Sequence, residues 1–258
     1  MSIDLSAIVE IFQTSFAVAF GVFLRVGGAF LVLPAFGETF VPARVRLAAA
    51  FAITAILVPA LGASILGQTD AAPIGASHFF SEALSGLLVG LGLRFVVHAL
   101  QIAGSIAAQS TSLSQILGGA SVDPQPAMGN LMMISGLTLA VLSGLHIHLI
   151  HAFLRSYEIL PFGRLATPGS VGLWGVGRIA AAFSLAFSLA APFLIASLLY
   201  NVALGVINKA MPQLMVAFVG APAITLGGLV LLLITMPFLL PVWFTSWIAA
   251  LGQPLGLP

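Results

Sequence analysis

GAPAITLGGLVLLLITMPFLLPVWFTSWIAA, residues 220–250, contains no aspartate, glutamate, lysine or arginine. A helix needs about 20 mostly apolar residues to cross a bilayer, and this run exceeds that length. It shows no strict alternation of apolar and polar residues, so it is not the weak ten-residue signal of a lipid-facing barrel strand. Five further windows read the same way, at roughly 11–36, 47–67, 79–104, 127–152 and 174–200. The expected class is therefore all-α: a polytopic membrane protein of long kinked helices and hairpins, with 1–258 as a single integral-membrane domain.

Composition leads to the same class. Hydrophobic residues make up 60% of the chain and charged residues 6%, with eight basic and seven acidic side chains in 258 residues. Those few charges cannot cover a water-solvated surface. A net charge of +1 with scattered arginines gives no field for nucleic acid. Without cysteine there are no disulfides, thiolate metal sites or cysteine nucleophiles. The start, MSIDLSAIVEIF, carries Asp4 and Glu10 but no basic n-region, so the first apolar segment is expected to be retained rather than cleaved.

Basic residues in the connections should set orientation, but here they tie. With six simple crossings, Arg44, Arg46 and Lys209 fall on one side and Arg155, Arg164 and Arg178 on the other. Some windows are therefore expected to be hairpins or partial crossings. The segment 101–130 is one suspect: Gln101, Ser105, Gln109, Ser110, Thr111, Ser112, Ser114 and Gln115 form a polar, uncharged helical continuation that ends at Gly118-Gly119. Lipid would leave these groups without partners, whereas a water-filled conduit or a helix contact would satisfy them. A surface connection is the plainer alternative.

Single residues carry the remaining signal. Arg25 lies near the centre of the first window, where an arginine costs roughly 2.5–3.5 kcal/mol on insertion scales. It either meets a protein partner across the bare surface of Gly27-Gly28 or snorkels to water. Arg94 and His98 raise the same question one window later, with Glu82 as the candidate partner. Gly86-x-x-x-Gly90 offers a face for tight helix packing. His146 and His148 point to nearly opposite sides of a helix and cannot chelate together; His148 and His151 share a face but lack an acid. No metal or other cofactor is expected. Pro34, Pro42, Pro192, Pro212, Pro222, Pro237 and Pro241 stand at or inside the windows, where each should bend or end a helix and so require neighbouring helices.

Three function classes follow. An intramembrane enzyme lacks chemistry here, with no H-E-x-x-H, no G-x-G-D pair and no G-x-S-x-G serine. A stand-alone secondary transporter fits the broken helices and buried arginines, but there is no internal repeat and no cluster of intramembrane acids. A structural subunit of a multi-chain channel fits the small-residue faces, prolines and polar tracts together.

Read in order, Arg25-x-x-Gly28, Pro34-x-x-Gly37, Pro42-x-x-x-Arg46, Asp123-Pro124 after a Ser-rich tract, Gly144-x-His146, Leu160-Pro161-x-Gly163, the block Ala203-Leu-Gly205-x-x-Asn208-Lys209-x-x-Pro212-Gln213-x-x-Val216, and Gly220-x-Pro222 resemble the FliR family of flagellar export-gate proteins. The resemblance runs along nearly the whole chain. It implies an export-gate subunit in the bacterial inner membrane, at the flagellar basal body, assembled with FliP and FliQ family subunits and contacting FlhB and FlhA family proteins. Unfolded flagellar proteins would pass through that gate, and membrane lipid would surround it. The resemblance further implies a plug at 109–122, with Ser110, Ser112, Ser114, Gln115, Ile116, Leu117, Gly118, Gly119 and Asp123 as candidate pore-lining residues. The chain departs from the family there in having only Ile116 and Leu117 as bulky groups. Arg25, Gly28, Pro34, Gly37, Pro42, Arg46, Arg94, His146, Asn208, Lys209, Pro212 and Gln213 are the candidate subunit-contact or structural positions. Asn208 and Lys209, the chain's single lysine, with Pro212 and Gln213, read as a structured joint facing partners or the pore entrance; a solvated turn is the alternative.

Overall fold

The computed structural model describes residues 5–38, 41–66, 74–112, 127–210 and 216–256, with side chains omitted at a few helix ends. Seven α-helices account for most of these residues: α1 Leu5–Val32, α2 Ala43–Leu66, α3 Ala76–Ser112, α4 Ala127–Leu142, α5 Leu145–Ile159, α6 Pro168–Ala210 and α7 Val216–Gly252. No strand occurs among the described residues. Five helices are long and apolar enough to cross a membrane, and α4 with α5 makes a sixth if that broken pair counts as one span. The chain is an all-α, polytopic membrane protein.

Local chemistry explains where the helices begin and end. α1 stops ahead of Pro34, because a proline disfavours helical dihedrals in the residue before it. The chain then turns through Ala35 (φ 71°), and Gly37 N–H bonds back to the Leu33 carbonyl at 2.6 Å. Pro42 starts α2 by giving its carbonyl to the Val45 and Arg46 amides. Thr167 starts α6: its Oγ1 accepts the Ser170 amide at 3.3 Å, with Pro168 at the first helical position, where the missing amide costs nothing. Inside the helices, hydroxyls fold back onto carbonyls of the preceding turn. Thr54 reaches Ala50, Ser85 reaches Ser81 and Ser105 reaches Gln101, so these groups need no water.

The window expected at 127–152 is not one helix. It breaks at Ser143-Gly144, where Gly144 adopts a left-handed conformation (φ 83°), and it resumes as α5 through Ile159, into sequence read as a connection. Glycine takes that conformation without a Cβ penalty. The window expected at 174–200 is longer than its hydropathy suggested, because α6 continues to Ala210 and includes Asn208 and Lys209. Pro192 lies within α6, and Pro222, Pro237 and Pro241 lie within α7, without ending either helix.

By contacts the described chain divides into two compact units, with boundaries inside α3, between α4 and α5, inside α6 and inside α7. The first comprises residues 1–94, 144–178 and 248–258. In it α1 and α3 meet along small residues. A Cβ on Gly28 would lie 2.5 Å from the Ala83 carbonyl oxygen, one on Gly86 would collide with the Arg25 carbonyl, and one on Gly90 would lie 2.5 Å from the Ala29 carbonyl. Gly86 and Gly90 thus form the close-packing face that their spacing predicts. On α5, buried Leu145, Leu149, Ala152, Phe153, Ser156 and Tyr157 recur at helical spacing and form one stripe. The C-terminal end of α7 is closed by arginines: Arg155 donates to the Gly252 carbonyl at 2.7 Å and Arg178 to the Gln253 carbonyl at 2.5 Å.

The second unit comprises residues 95–143 and 179–247. α3 and α4 touch backbone to backbone, since a Cβ on Gly104 would collide with the Gly129 Cα. Trp243 is fully buried, donates its indole N–H to the Val96 carbonyl at 2.8 Å and stacks on Trp247 at 5.6 Å between ring centroids. The outward faces of its parts of α6 and α7 carry Phe183, Phe187, Leu198, Leu226, Leu233 and Phe238, all more than half exposed. Such a surface suits lipid or other chains, not water.

Candidate functional site

Arg25 is the most costly residue in the first helix, and it is 0% exposed. Its guanidinium makes a two-pronged contact with Glu82 of α3, Nε to Oε2 at 2.8 Å and Nη2 to Oε1 at 2.9 Å. Nη2 also donates to the Leu160 carbonyl at 3.0 Å, and Nη1 to Ser156 Oγ at 3.3 Å. The guanidinium carbon lies 3.7 Å from the centre of the Tyr157 ring, a cation–π position. Glu82, also 0% exposed, takes two more donors: the Tyr157 hydroxyl on Oε2 at 2.9 Å and the Gly163 amide on Oε1 at 2.9 Å.

Each carboxylate oxygen therefore accepts two hydrogen bonds, which fills its lone pairs. A buried ion pair recovers its desolvation cost only when geometry and hydrogen bonding are this complete. The cluster holds three elements at one point: α1 through Arg25, α3 through Glu82, and α5 with its exit turn through Ser156, Tyr157, Leu160 and Gly163. The exit turn depends on Gly163, whose φ of 75° is left-handed and whose absent Cβ leaves room for the His78 ring. Both oxygens of Glu82 and four of the five N–H groups of Arg25 are engaged inside the chain, so the carboxylate is held as an ion-pair partner rather than left open as a base. The cluster's chemistry is that of a clamp.

The assignment of Glu82 to Arg94 is therefore incorrect. Glu82 lies on the face of α3 that meets α1, where Arg25 occupies both its oxygens. Arg94 instead donates to the Val32 carbonyl at 3.0 Å and lies 3.8 Å from Glu38, in a more exposed pair with side chains 28% and 21% accessible. Arg46 closes the same turn by donating to the carbonyls of Phe36 at 2.9 Å and Glu38 at 3.3 Å. Pro34, Gly37, Pro42, Arg46 and Arg94 thus come together around the α1–α2 connection. His98 pairs with Gln101, Nδ1 to Oε1 at 2.6 Å, and Gln101 Nε2 reaches the Met133 sulfur at 2.7 Å.

The clamp's hydrogen bonds involve none of the other described candidates. His146 and His151 are exposed and His148 is half-buried; among the described residues no group of three His, Cys, Asp or Glu side chains could hold a metal. Asn208 and Lys209 are exposed on the last turn of α6, and Pro212 and Gln213 lie outside the described residues. Ser110 is buried near the end of α3 and donates to the Ala107 carbonyl at 2.7 Å. Ser112 is the last residue of α3, while Ser114, Gln115, Ile116, Leu117, Gly118, Gly119 and Asp123 lie outside the described residues.

Sequence reasoning missed Ser156 and Tyr157 altogether. A signal existed, since both sit on the apolar stripe of α5, and a polar residue on such a stripe needs a buried partner.

A profile of the family described as bacterial export proteins, family 1, matches residues 16–249. The flagellar biosynthetic protein FliR of Caulobacter vibrioides is 33% identical to this chain over 90% of it and 94% of that protein. The proteins of the same name from Escherichia coli and Bacillus subtilis are 28% and 26% identical, over 84% and 83% of this chain and 84% of each relative. With a matched region that takes in both halves of the Arg25–Glu82 clamp and the Asn208-Lys209 helix end, the chain belongs to the FliR family of bacterial export proteins.

Proposed function

We propose that this chain is a subunit of the flagellar type III protein export gate. It sits in the bacterial inner membrane at the flagellar basal body, with 1–258 acting as one integral-membrane domain. Together with FliP and FliQ family subunits it forms the channel for unfolded flagellar proteins, and it contacts FlhB and FlhA family proteins. The observation that carries this reading is the near full-length similarity to FliR proteins, 33% identity over 90% of the chain. The exposed apolar faces of α6 and α7 support it, because a gate subunit must meet both lipid and other chains.

Within that reading, residues 109–122 form the plug of the closed channel. The polar residues Gln101 and Ser105 of α3 precede it in the chain, and Ser110 of the same helix falls within it. Asn208, Lys209, Pro212 and Gln213 form a joint that faces partner subunits or the pore entrance. The exposure of Asn208 and Lys209 at a helix end suits that role.

The test is co-purification of FliP and FliQ family subunits with a tagged form of this chain from its native membrane. Recovery of both partners in a defined complex supports the gate. A lone, monodisperse protein supports a stand-alone secondary transporter and refutes the gate.

A further inference from the structure

We infer that the first unit carries a binding site for one anionic phospholipid, in the groove between α1 and α2. The groove has two stretches, divided where Phe23 of α1 stacks on Phe51 of α2 at 4.5 Å between ring centroids. One, of about 600 Å³, lies between Phe16 and Phe20 of α1 and Phe51 and Pro59 of α2. The other, of about 360 Å³, runs past Gly27 and Leu31 to Ala43 and Arg46. In the stretch that holds Arg46, the α2 wall from Ala43 to Ala50 is about 10 Å long at ~1.5 Å per residue, so the headgroup-proximal part of an acyl chain fits there.

The polarity of this groove changes along its length as an amphiphile's does. Its long apolar stretch offers only the Thr54 hydroxyl, which is already bonded to the Ala50 carbonyl at 2.7 Å. At the other end, Arg46 lines the groove and Arg44 stands exposed in the same first turn of α2. Arg46 is held by the Phe36 and Glu38 carbonyls through Nε and Nη2, and among the described residues its Nη1 makes no hydrogen bond. Arg44 makes no hydrogen bond or ion pair among the described residues. Arg46 at one end of an apolar trough, with exposed Arg44 beside it in the first turn of a membrane-length helix, matches a phosphate headgroup joined to a hydrocarbon tail. A partner helix would fill the trough but would not need the arginines.

Gly27 gives a clean test, because it lines the groove and a Cβ there meets nothing within 4 Å. Gly27→Leu therefore fills the trough without disturbing the chain. Arg44→Gln removes headgroup charge and leaves the capping Arg46 in place. The full chain, purified in detergent, is titrated with phosphatidylglycerol and with phosphatidylethanolamine of identical acyl chains, and retained lipid is read by native mass spectrometry.

The wild type should retain phosphatidylglycerol in preference to phosphatidylethanolamine. Arg44→Gln should weaken that preference roughly fivefold, the share expected of one basic residue near a membrane surface. Gly27→Leu should lower retention of both lipids. Equal retention of the two lipids by the wild type, or an unchanged preference in Arg44→Gln, overturns the site. If Gly27→Leu leaves retention intact but lowers co-purification of other membrane subunits, the trough holds a protein helix and the lipid assignment is wrong.

Discussion

Replacing Glu82 by alanine should do more damage than any other single truncation in the first unit. The change leaves Arg25 fully buried and removes two of its four hydrogen bonds, and it leaves the Tyr157 hydroxyl and the Gly163 amide without their acceptor. Breaking a buried ion pair from one side costs about 3–5 kcal/mol. For a chain of this size, with about 2–4 °C of midpoint per kcal/mol, the thermal transition should fall by roughly 6–20 °C. The assay is tryptophan-fluorescence unfolding of the detergent-solubilised full chain. Removing both charges in Arg25→Met with Glu82→Leu should cost far less than the two single changes added together, because no unpaired charge is left buried. Tyr157→Phe, which keeps the ring under the guanidinium and loses one hydrogen bond to a charged group, should cost an intermediate ~1.5–3 kcal/mol. A Glu82→Ala midpoint within the error of wild type, or a double variant as unstable as the sum of its parts, would refute the clamp.

Three further outcomes can be checked. Gly86→Ala drives a methyl into the Arg25 backbone and should cost about 1–3 kcal/mol in the same unfolding assay, whereas Gly62→Ala, with open space around it, should be neutral or stabilising by up to ~1 kcal/mol. Deletion of residues 110–119 should leave gate assembly intact and let small ions leak through the membrane in a dye-based permeability assay; unchanged permeability would remove the plug assignment. Lys209→Glu should weaken assembly or export, scored as reduced swimming in a strain that relies on this copy, and full motility would place the residue outside any partner contact.

The membrane class was legible because it depends on composition, which does not require knowing what touches what. An uncharged run such as 220–250 has only one solvent in which its surface is stable, so α7 could be read directly. Gly86-x-x-x-Gly90 was legible for a related reason: small residues four apart expose backbone on one helical face whatever packs there. The bounds of other helices were less legible. Hydropathy stopped the fifth window near Tyr200, but backbone hydrogen bonding carries α6 on through Asn208 and Lys209, since a helix end follows the chain's geometry rather than its polarity.

What only the tertiary structure decided was pairing. The sequence by itself marked Arg25 as costly in an apolar helix, to be met by a protein partner or by snorkelling, and offered Glu82 as a candidate partner for Arg94. It did not determine that Arg25 and Glu82 meet, because they lie 57 residues apart and Arg94 shares a helix with Glu82. The choice was made by the glycine contact between α1 and α3, which brings the Arg25 backbone against Gly86 and its guanidinium onto both oxygens of Glu82. Tyr157 and Gly163 entered through the same packing. Local sequence states which groups must be satisfied, and the close approach of distant backbones decides which partners satisfy them.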